Sequence, residues 1–404
     1  MEPTKLTGTP ANKAAGTFVL TGQPLATTQG FRNVSKLWHD KTNSYEEGLE
    51  QIERGRSQRE DILATLHEMT PTLNDKGQFV MHMRGGRDFV PSRHALSQMG
   101  SWASVGRWFP SKLVEPPKNE RGEMLYARDN GDAETLVKVL KNGFRRLDQG
   151  KTFLWRVRKD GTLRAMLSDK YATVDNRWFV EALAKIIPGG RLSHWRGDAD
   201  TLYGNVLIPD TIREETDSDY GGMLSIGNSE IGERNLLSLP SIFRAICQNG
   251  CIWGQKKGEG IRVVHRGDLQ LDKLFLTIKE NLDKQIPLLP QGIEKLLGTK
   301  RFGFDGDSVM PLFAQVADSF RLSKSQASKL LKASEAEPDY ARTLFGVVNA
   351  VTRAGQELEN DAWVTFDKLG GTLMAYSESD WLGLVRRAKA MPVKEVEAMF
   401  ALAS

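Results

Sequence analysis

Of the whole chain, the stretch from Lys141 to Lys170 constrains the fold most tightly. In it, two runs of alternating side chains flank the loop Lys159-Asp160-Gly161. Thr152 to Arg158 and Thr162 to Ser168 alternate with a period of two, the pattern of half-buried strands. Two registers are open to the hairpin they predict. A two-residue Asp160-Gly161 turn would pair Val157 with Arg164 and mix apolar and basic side chains on both faces. A three-residue loop, with Gly161 as the left-handed residue of a bulge, sorts them instead. Phe153, Trp155, Val157, Leu163, Ala165 and Leu167 then share one face. Arg156, Arg158 and Arg164 share the other with Leu154, Thr162 and Met166. A slip by one residue would send the apolar set to solvent, so the longer loop is expected.

That register also sets Arg156 across from Arg164, and like charges facing each other destabilise a sheet. The segment holds nine cations (Lys141, Arg145, Arg146, Lys151, Arg156, Arg158, Lys159, Arg164, Lys170) against Asp148, Asp160 and Asp169. Its excess is larger than the +4 of the entire protein. Two readings follow. A phosphate backbone lies over the basic face, with Leu154 and Met166 giving apolar surface between contacts. Alternatively, acidic side chains from another segment cover the arginines, or the face is simply solvated.

The rest of the chain sets the frame. Its 404 residues, 40% hydrophobic and 26% charged, suit one large globular domain or two ordinary ones. No apolar run approaches the roughly 18–20 residues of a membrane span. Met1 to Gly30 lacks the apolar stretch of a secretion signal, so a cytoplasmic protein is expected. Two cysteines, Cys247 and Cys251, exclude a disulfide framework.

Residues 1–30 lack periodicity and are expected to be flexible. Residues 31–124 predict a mainly helical region: Leu49, Ile52, Ile62, Leu63, Leu66 and Met69 recur at helical spacings from Ser44 until Pro71. A second helix starts at Ser92, with Ala95, Leu96, Met99 and Trp102 on one face. Val114 to Glu120 reads as a linker. Residues 125–267 read as an α+β core of mostly antiparallel strands, with helices at Arg177–Ile187 and Pro240–Gln248. Residues 268–404 return to helix. One apolar face is Leu344, Val347, Val348 and Val351; another is Val393, Val396, Met399 and Phe400. The fold class is α+β: an antiparallel sheet core with a basic hairpin followed by a helix, flanked by helical regions.

Five blocks carry a family resemblance. They are Ser92-Arg93-His94-Ala95-Leu96-Ser97-Gln98-Met99, Leu167 to Asn176 before a helix, Ile226-Gly227-Asn228-Ser229-Glu230-Ile231-Gly232, Phe243 to Gly250 with Cys247-Gln248-Asn249-Gly250, and Val348-Asn349-Ala350-Val351-Thr352. In this order they resemble the phage and plasmid family catalogued as domain of unknown function 932, from about Phe89 to Thr352. The resemblance implies work on mobile DNA in a bacterial cell. The order hairpin, helix, strands, helix is similar, more loosely, to the annealing recombinases of phages. Those bind single strands in a basic groove and form rings, which implies a homo-oligomer here.

The candidate phosphate contacts are Arg145, Arg146, Lys151, Arg156, Arg158, Arg164 and Lys170. Tyr171 and Trp178, beside Arg177, are candidates for stacking on bases. The turn from Gly227 to Gly232 could offer N–H groups with Asn228, Ser229 and Arg234 to an anion. It could equally be a structural loop with Asn228 left-handed. Arg262, His265 and Arg266 extend the face or line a solvated strand edge. Cys247 and Cys251 read as structural thiols rather than zinc ligands. Residues 316–331 read as a plain helix pair.

The function expected is a non-enzymatic single-stranded DNA-binding protein, an annealing protein among the forms it could take, with no cofactor, metal or membrane partner. Two alternatives stay open. Asp198 and Asp200, or Asp217 and Asp219, could hold magnesium in a DNA-processing enzyme. The basic face could instead meet an acidic protein, in the manner of an antirestriction or host-interaction protein.

Overall fold

The computed structural model describes residues 42–56, 59–114, 130–197, 200–215, 218–244, 249–252, 260–335, 340–356 and 362–400. The expected flexible segment 1–30 and most of the linker from Val114 to Glu120 lie outside them.

Two sheets organise the chain. The six-stranded sheet holds β2 (Arg59–Thr65), β3 (Met69–Leu73), β4 (Phe79–Met83), β5 (Arg87–Pro91), β6 (Thr152–Arg158) and β7 (Thr162–Ser168), in the order β2-β6-β7-β5-β4-β3. Its pairs are antiparallel except β5 with β7. Helices α2 (Arg93–Trp102), α3 (Phe109–Val114) and α4 (Asn130–Phe144) belong to this half. Ala95, Leu96, Met99, Leu136 and Leu140 pack with Phe153, Trp155 and Val157 in one core. α2 starts as expected, because the Ser92 hydroxyl accepts from the Ala95 N–H at 3.1 Å.

The second sheet holds β1 (Thr42–Asn43), β8 (Arg191–Gly197), β9 (Thr201–Glu214), β10 (Asp219–Ser229), β11 (Leu236–Arg244) and β12 (Asn249–Ile252), in that order, with β13 (Ile261–Val263) also on β11. α1 (Tyr45–Arg56) and α5 (Asn176–Ile186) pack with this sheet. The same half holds α6 (Leu271–Gln285), α7 (Leu289–Gly298), α8 (Met310–Ser319), α9 (Lys324–Ser334), α10 (Leu344–Gln356), α11 (Ala362–Met374), α12 (Glu378–Ala390) and α13 (Val393–Phe400). Leu224, Ile226 and Ile242 from the sheet join Phe313, Phe345, Phe366 and Trp381 from the helices in one large core. The class is therefore α+β with flanking helices. Among the described residues no helix is long and apolar enough to cross a membrane.

Two expected helices are corrected. The one begun at Ser44 ends at Arg56, and the chain continues as β2 and β3, so the N-terminal region carries five strands, β1 to β5, among the described residues. Ile62 and Ala64 are buried while Asp61 and Leu63 are exposed, a period of two. Pro71 sits on the edge strand β3, where a missing N–H is tolerated. Pro240 does not start a helix either; it lies inside β11, opposite Leu224. On the other side β13 pairs Leu236 to Ser238 and β12 pairs Ser241 to Arg244. Pro240 thus falls between two partners, where no ladder bond is required. In the late helices Val396 is buried as expected, but Val393 is exposed.

Candidate nucleic-acid interface

The hairpin forms with the three-residue loop. Val157 pairs with Leu163, and Gly161 takes a φ of 86°. One step further the register shifts: Arg156 pairs with Ala165, leaving Arg164 as the extra residue of a bulge. Beyond it the faces exchange on β7. Met166 joins Phe153, Trp155, Val157 and Leu163 in the core beneath α2 and α4. Ala165 and Leu167 turn to the other side and pack with Leu154 and Ile231. The expected sorting of Ala165, Met166 and Leu167 is thus reversed, and Arg156 does not sit directly across from Arg164.

The bulge gathers the arginines on one face, where Arg156 and Arg164 are buried and Arg158 is partly exposed. Arg156 is 3% exposed, Arg164 1% and Glu230 0%. Arg156 makes a two-pronged ion pair with Asp61, at 2.9 and 3.0 Å, and lies 3.8 Å from the Glu230 carboxylate and 3.9 Å from that of Asp175. Arg164 pairs with Asp200 and comes within 3.6 Å of Glu230. Arg158 reaches Asp200 at 3.0 Å, and Arg59 bonds Glu230. Arg59, Arg156, Arg158 and Arg164 are therefore matched by Asp61, Asp175, Asp200 and Glu230. Acidic side chains do cover these arginines, and Arg156 and Arg164 have no surface to give to a phosphate.

Glu230 follows β10 directly, so the cluster bridges the two sheets. Its other carboxylate oxygen accepts the Asn176 N–H at 2.8 Å, placing a negative charge at the start of α5, where the helix dipole favours it. Burial pushes the Glu230 carboxyl above the usual glutamate range, against the pull of Arg59 and Arg156.

The turn between β10 and β11 is structural. Asn228 lies within β10, is fully buried and donates to Val174 O at 2.8 Å and Asn176 Oδ1 at 2.9 Å. It is not left-handed; Gly232, with φ 74°, takes that role. The buried Ser229 hydroxyl accepts from the N–H groups of Ile231 and Glu233. Its carbonyl accepts the Tyr171 hydroxyl at 2.6 Å.

The Tyr171 ring stacks on His265, with centroids 5.1 Å apart, so its face is occupied within the chain. His265 is itself buried and bonds Ala172 O at 3.0 Å; burial lowers its pKa. Trp178 packs against the main core, and Arg177 is held by Glu53 and Glu181. Arg234 lies 4.9 Å over the Tyr203 ring. Arg262 is exposed on β13.

The structure does bring together a smaller set of expected cations, at the open end of the hairpin. Phe153 pairs with Ser168 there, which sets Lys151 beside Asp169 and Lys170. The Lys151 N–H bonds Asp148 O in the turn that follows Arg145 and Arg146, and the Gly267 N–H bonds Lys170 O, drawing in Arg266. Arg145, Arg146, Lys170 and Arg266 are exposed, and none is ion-paired among the described residues. Asp148 and Asp169 are interspersed with them. Lys151 lies 4.2 Å over the Trp102 ring.

Sequence reasoning missed Trp108, which is 67% exposed beside the exposed Arg107. Ala103, at the end of α2, packs on Gly143 near the end of α4. The connection bearing Arg107 and Trp108 therefore leaves α2 close to Arg145 and Arg146. Exposure of an indole has no signature in the sequence.

Asp200, a candidate magnesium ligand, is taken up by arginines, and Asp219 is buried. Asp198, Asp217 and Cys247 lie outside the described residues; the backbone of Cys251 pairs with Ile242 in β12. Among the described residues no three metal-ligating side chains gather.

No family model and no solved structure matches the chain. Two Escherichia coli K12 proteins are each similar to a part of it. UPF0380 protein YfjQ is 35% identical and UPF0380 protein YafZ 36% identical, each over 96 residues, 20% of this chain. The match spans about a third (35%) of either relative's own length.

Proposed function

We propose that this protein binds single-stranded nucleic acid, DNA first, through the open end of the β6–β7 hairpin. It acts there as a non-enzymatic binding or annealing protein of a phage or plasmid. The observation that supports this reading is the set of exposed cations Arg145, Arg146, Lys170 and Arg266, without ion pairs among the described residues, with an exposed Trp108 on the connection that leaves α2 beside Gly143. Cations that follow a phosphate backbone and an aromatic face for a base are the two elements of sequence-tolerant single-strand binding. The buried arginines have another task, joining the sheets. The mobile-element setting rests on the local likeness to the UPF0380 proteins and on the five blocks read in the sequence.

The test is binding of a labelled single strand of about 30 nucleotides across a salt series. Each neutralised phosphate on a single strand contributes about −0.7 to the log–log slope, so the wild type should show about −2 or steeper. Arg145→Ala/Arg146→Ala/Lys170→Ala/Arg266→Ala should bind more weakly with a flatter slope. Trp108→Ala should weaken binding by about 1–3 kcal/mol. No binding at low salt would remove the reading. For an annealing ring, light scattering should give a mass several times 45.1 kDa; a strict monomer with and without DNA excludes the ring.

A further inference from the structure

A cleft of about 930 Å³ opens in the helical half, away from the hairpin. One wall is α12, which presents Leu382, Val385, Arg386 and Lys389 at spacings of three and four, along one face of a helix. The other wall is the segment from Gly303 to Asp305, together with Arg342. The frame is fixed by backbone contacts. The Phe304 N–H donates to Arg342 O, Leu344 N–H to Phe302 O, and the Trp381 indole to Gly303 O at 2.9 Å.

The charges on the two walls are unequal. Lys389 is matched by Asp305 at 2.6 Å. Arg342 donates to the Asp307 carbonyl at 2.8 Å and has no ion pair among the described residues. Arg386 is exposed and has no ion pair among the described residues. Two exposed guanidiniums thus flank Leu382, which is half exposed, over a floor in which Phe304 and Val385 are already buried. A ligand that complements this surface carries carboxylates next to apolar side chains.

We infer that the cleft between α12 and the Gly303–Asp305 segment is a docking site for an acidic, leucine-like segment of a partner protein. Arg342 and Arg386 hold carboxylates, two-pronged pairs being the natural geometry for guanidinium, and an apolar side chain covers Leu382. Asp305 separates a peptide from a nucleic acid. Its side chain is 80% exposed and can accept a backbone N–H, a donor that a peptide carries and a phosphate backbone does not.

The probe is a short labelled peptide of alternating aspartate and leucine, titrated into the full chain with anisotropy as readout. A lysine–leucine peptide and an oligothymidylate serve as controls. Saturable binding of the acidic peptide is expected. It should weaken about tenfold or more in Arg342→Glu/Arg386→Glu, which replaces both charge-assisted contacts with repulsion.

Gly303→Trp gives a second test, because Gly303 lines the cleft and a Cβ added there meets no atom within 4 Å; the bulky side chain should block binding. The hairpin variant lacking Arg145, Arg146, Lys170 and Arg266 should bind the peptide as wild type does. The inference is overturned by any of three results: no saturable binding, equal binding of the lysine–leucine peptide, or indifference to both cleft variants. Competition by oligothymidylate that the cleft variants abolish would assign the cleft to nucleic acid instead.

Discussion

Glu230 stands within reach of Arg59, Arg156 and Arg164, with no exposure to water. Truncating one partner of such a cluster leaves the others charged and desolvated, a loss of about 3–5 kcal/mol. Glu230→Ala should lower the denaturant midpoint accordingly, while Arg145→Ala, on the exposed turn, should stay within about 0.5 kcal/mol of wild type. A midpoint for Glu230→Ala equal to wild type would show that the cluster does not stabilise the fold. His265 gives a pH dependence. Burial depresses its folded pKa below the unfolded value of about 6.5. Its contribution is therefore present above that pH and lost as pH falls toward the folded pKa. His265→Phe keeps an aromatic ring on Tyr171 and removes the proton. The fall in melting temperature between about pH 7.5 and about pH 5.5 should be smaller in the variant than in wild type; an equal fall would assign the effect to other groups.

At the scale of elements, the hairpin depends on one backbone conformation. Gly161 at φ 86° sits where a side chain costs about 1–2 kcal/mol. Gly161→Val should lose at least that in a denaturant titration, and a neutral result would mean the loop relaxes to another turn. The loop was legible in the sequence because Lys-Asp-Gly between alternating runs has few other solutions. The bulge was not. Strict alternation assumes a constant register, and nothing in Leu163-Arg164-Ala165-Met166 announces that Arg164 is extra. It becomes necessary only once Asp200 and Glu230 arrive from another sheet to hold it. For the same reason the cations were readable as a set, while their division into buried and exposed was not. The helix expected through Met69 failed because Ile62, Leu66 and Met69 fit helical spacing as well as two short strands do. Pro240 misled for a different reason: proline suits a first helical turn, and the gap between β12 and β13 that admits it is a property of the sheet.

In the whole molecule the charges fall into two populations that answer differently to salt. The arginines between the sheets are shielded from solvent and paired at close range, so mobile ions cannot screen them. The cations at the open end of the hairpin are in water, where interactions beyond a Debye length, about 8 Å at physiological ionic strength, fade. Raising the salt severalfold should therefore abolish single-strand binding while leaving the melting temperature nearly unchanged. Binding and stability that fell together would mean that the buried arginines, not the exposed set, are what the nucleic acid meets, through an opening of the two sheets. Binding that survived high salt would point to stacking on Trp108 as the main contribution, and Trp108→Ala should then remove most of the remaining affinity.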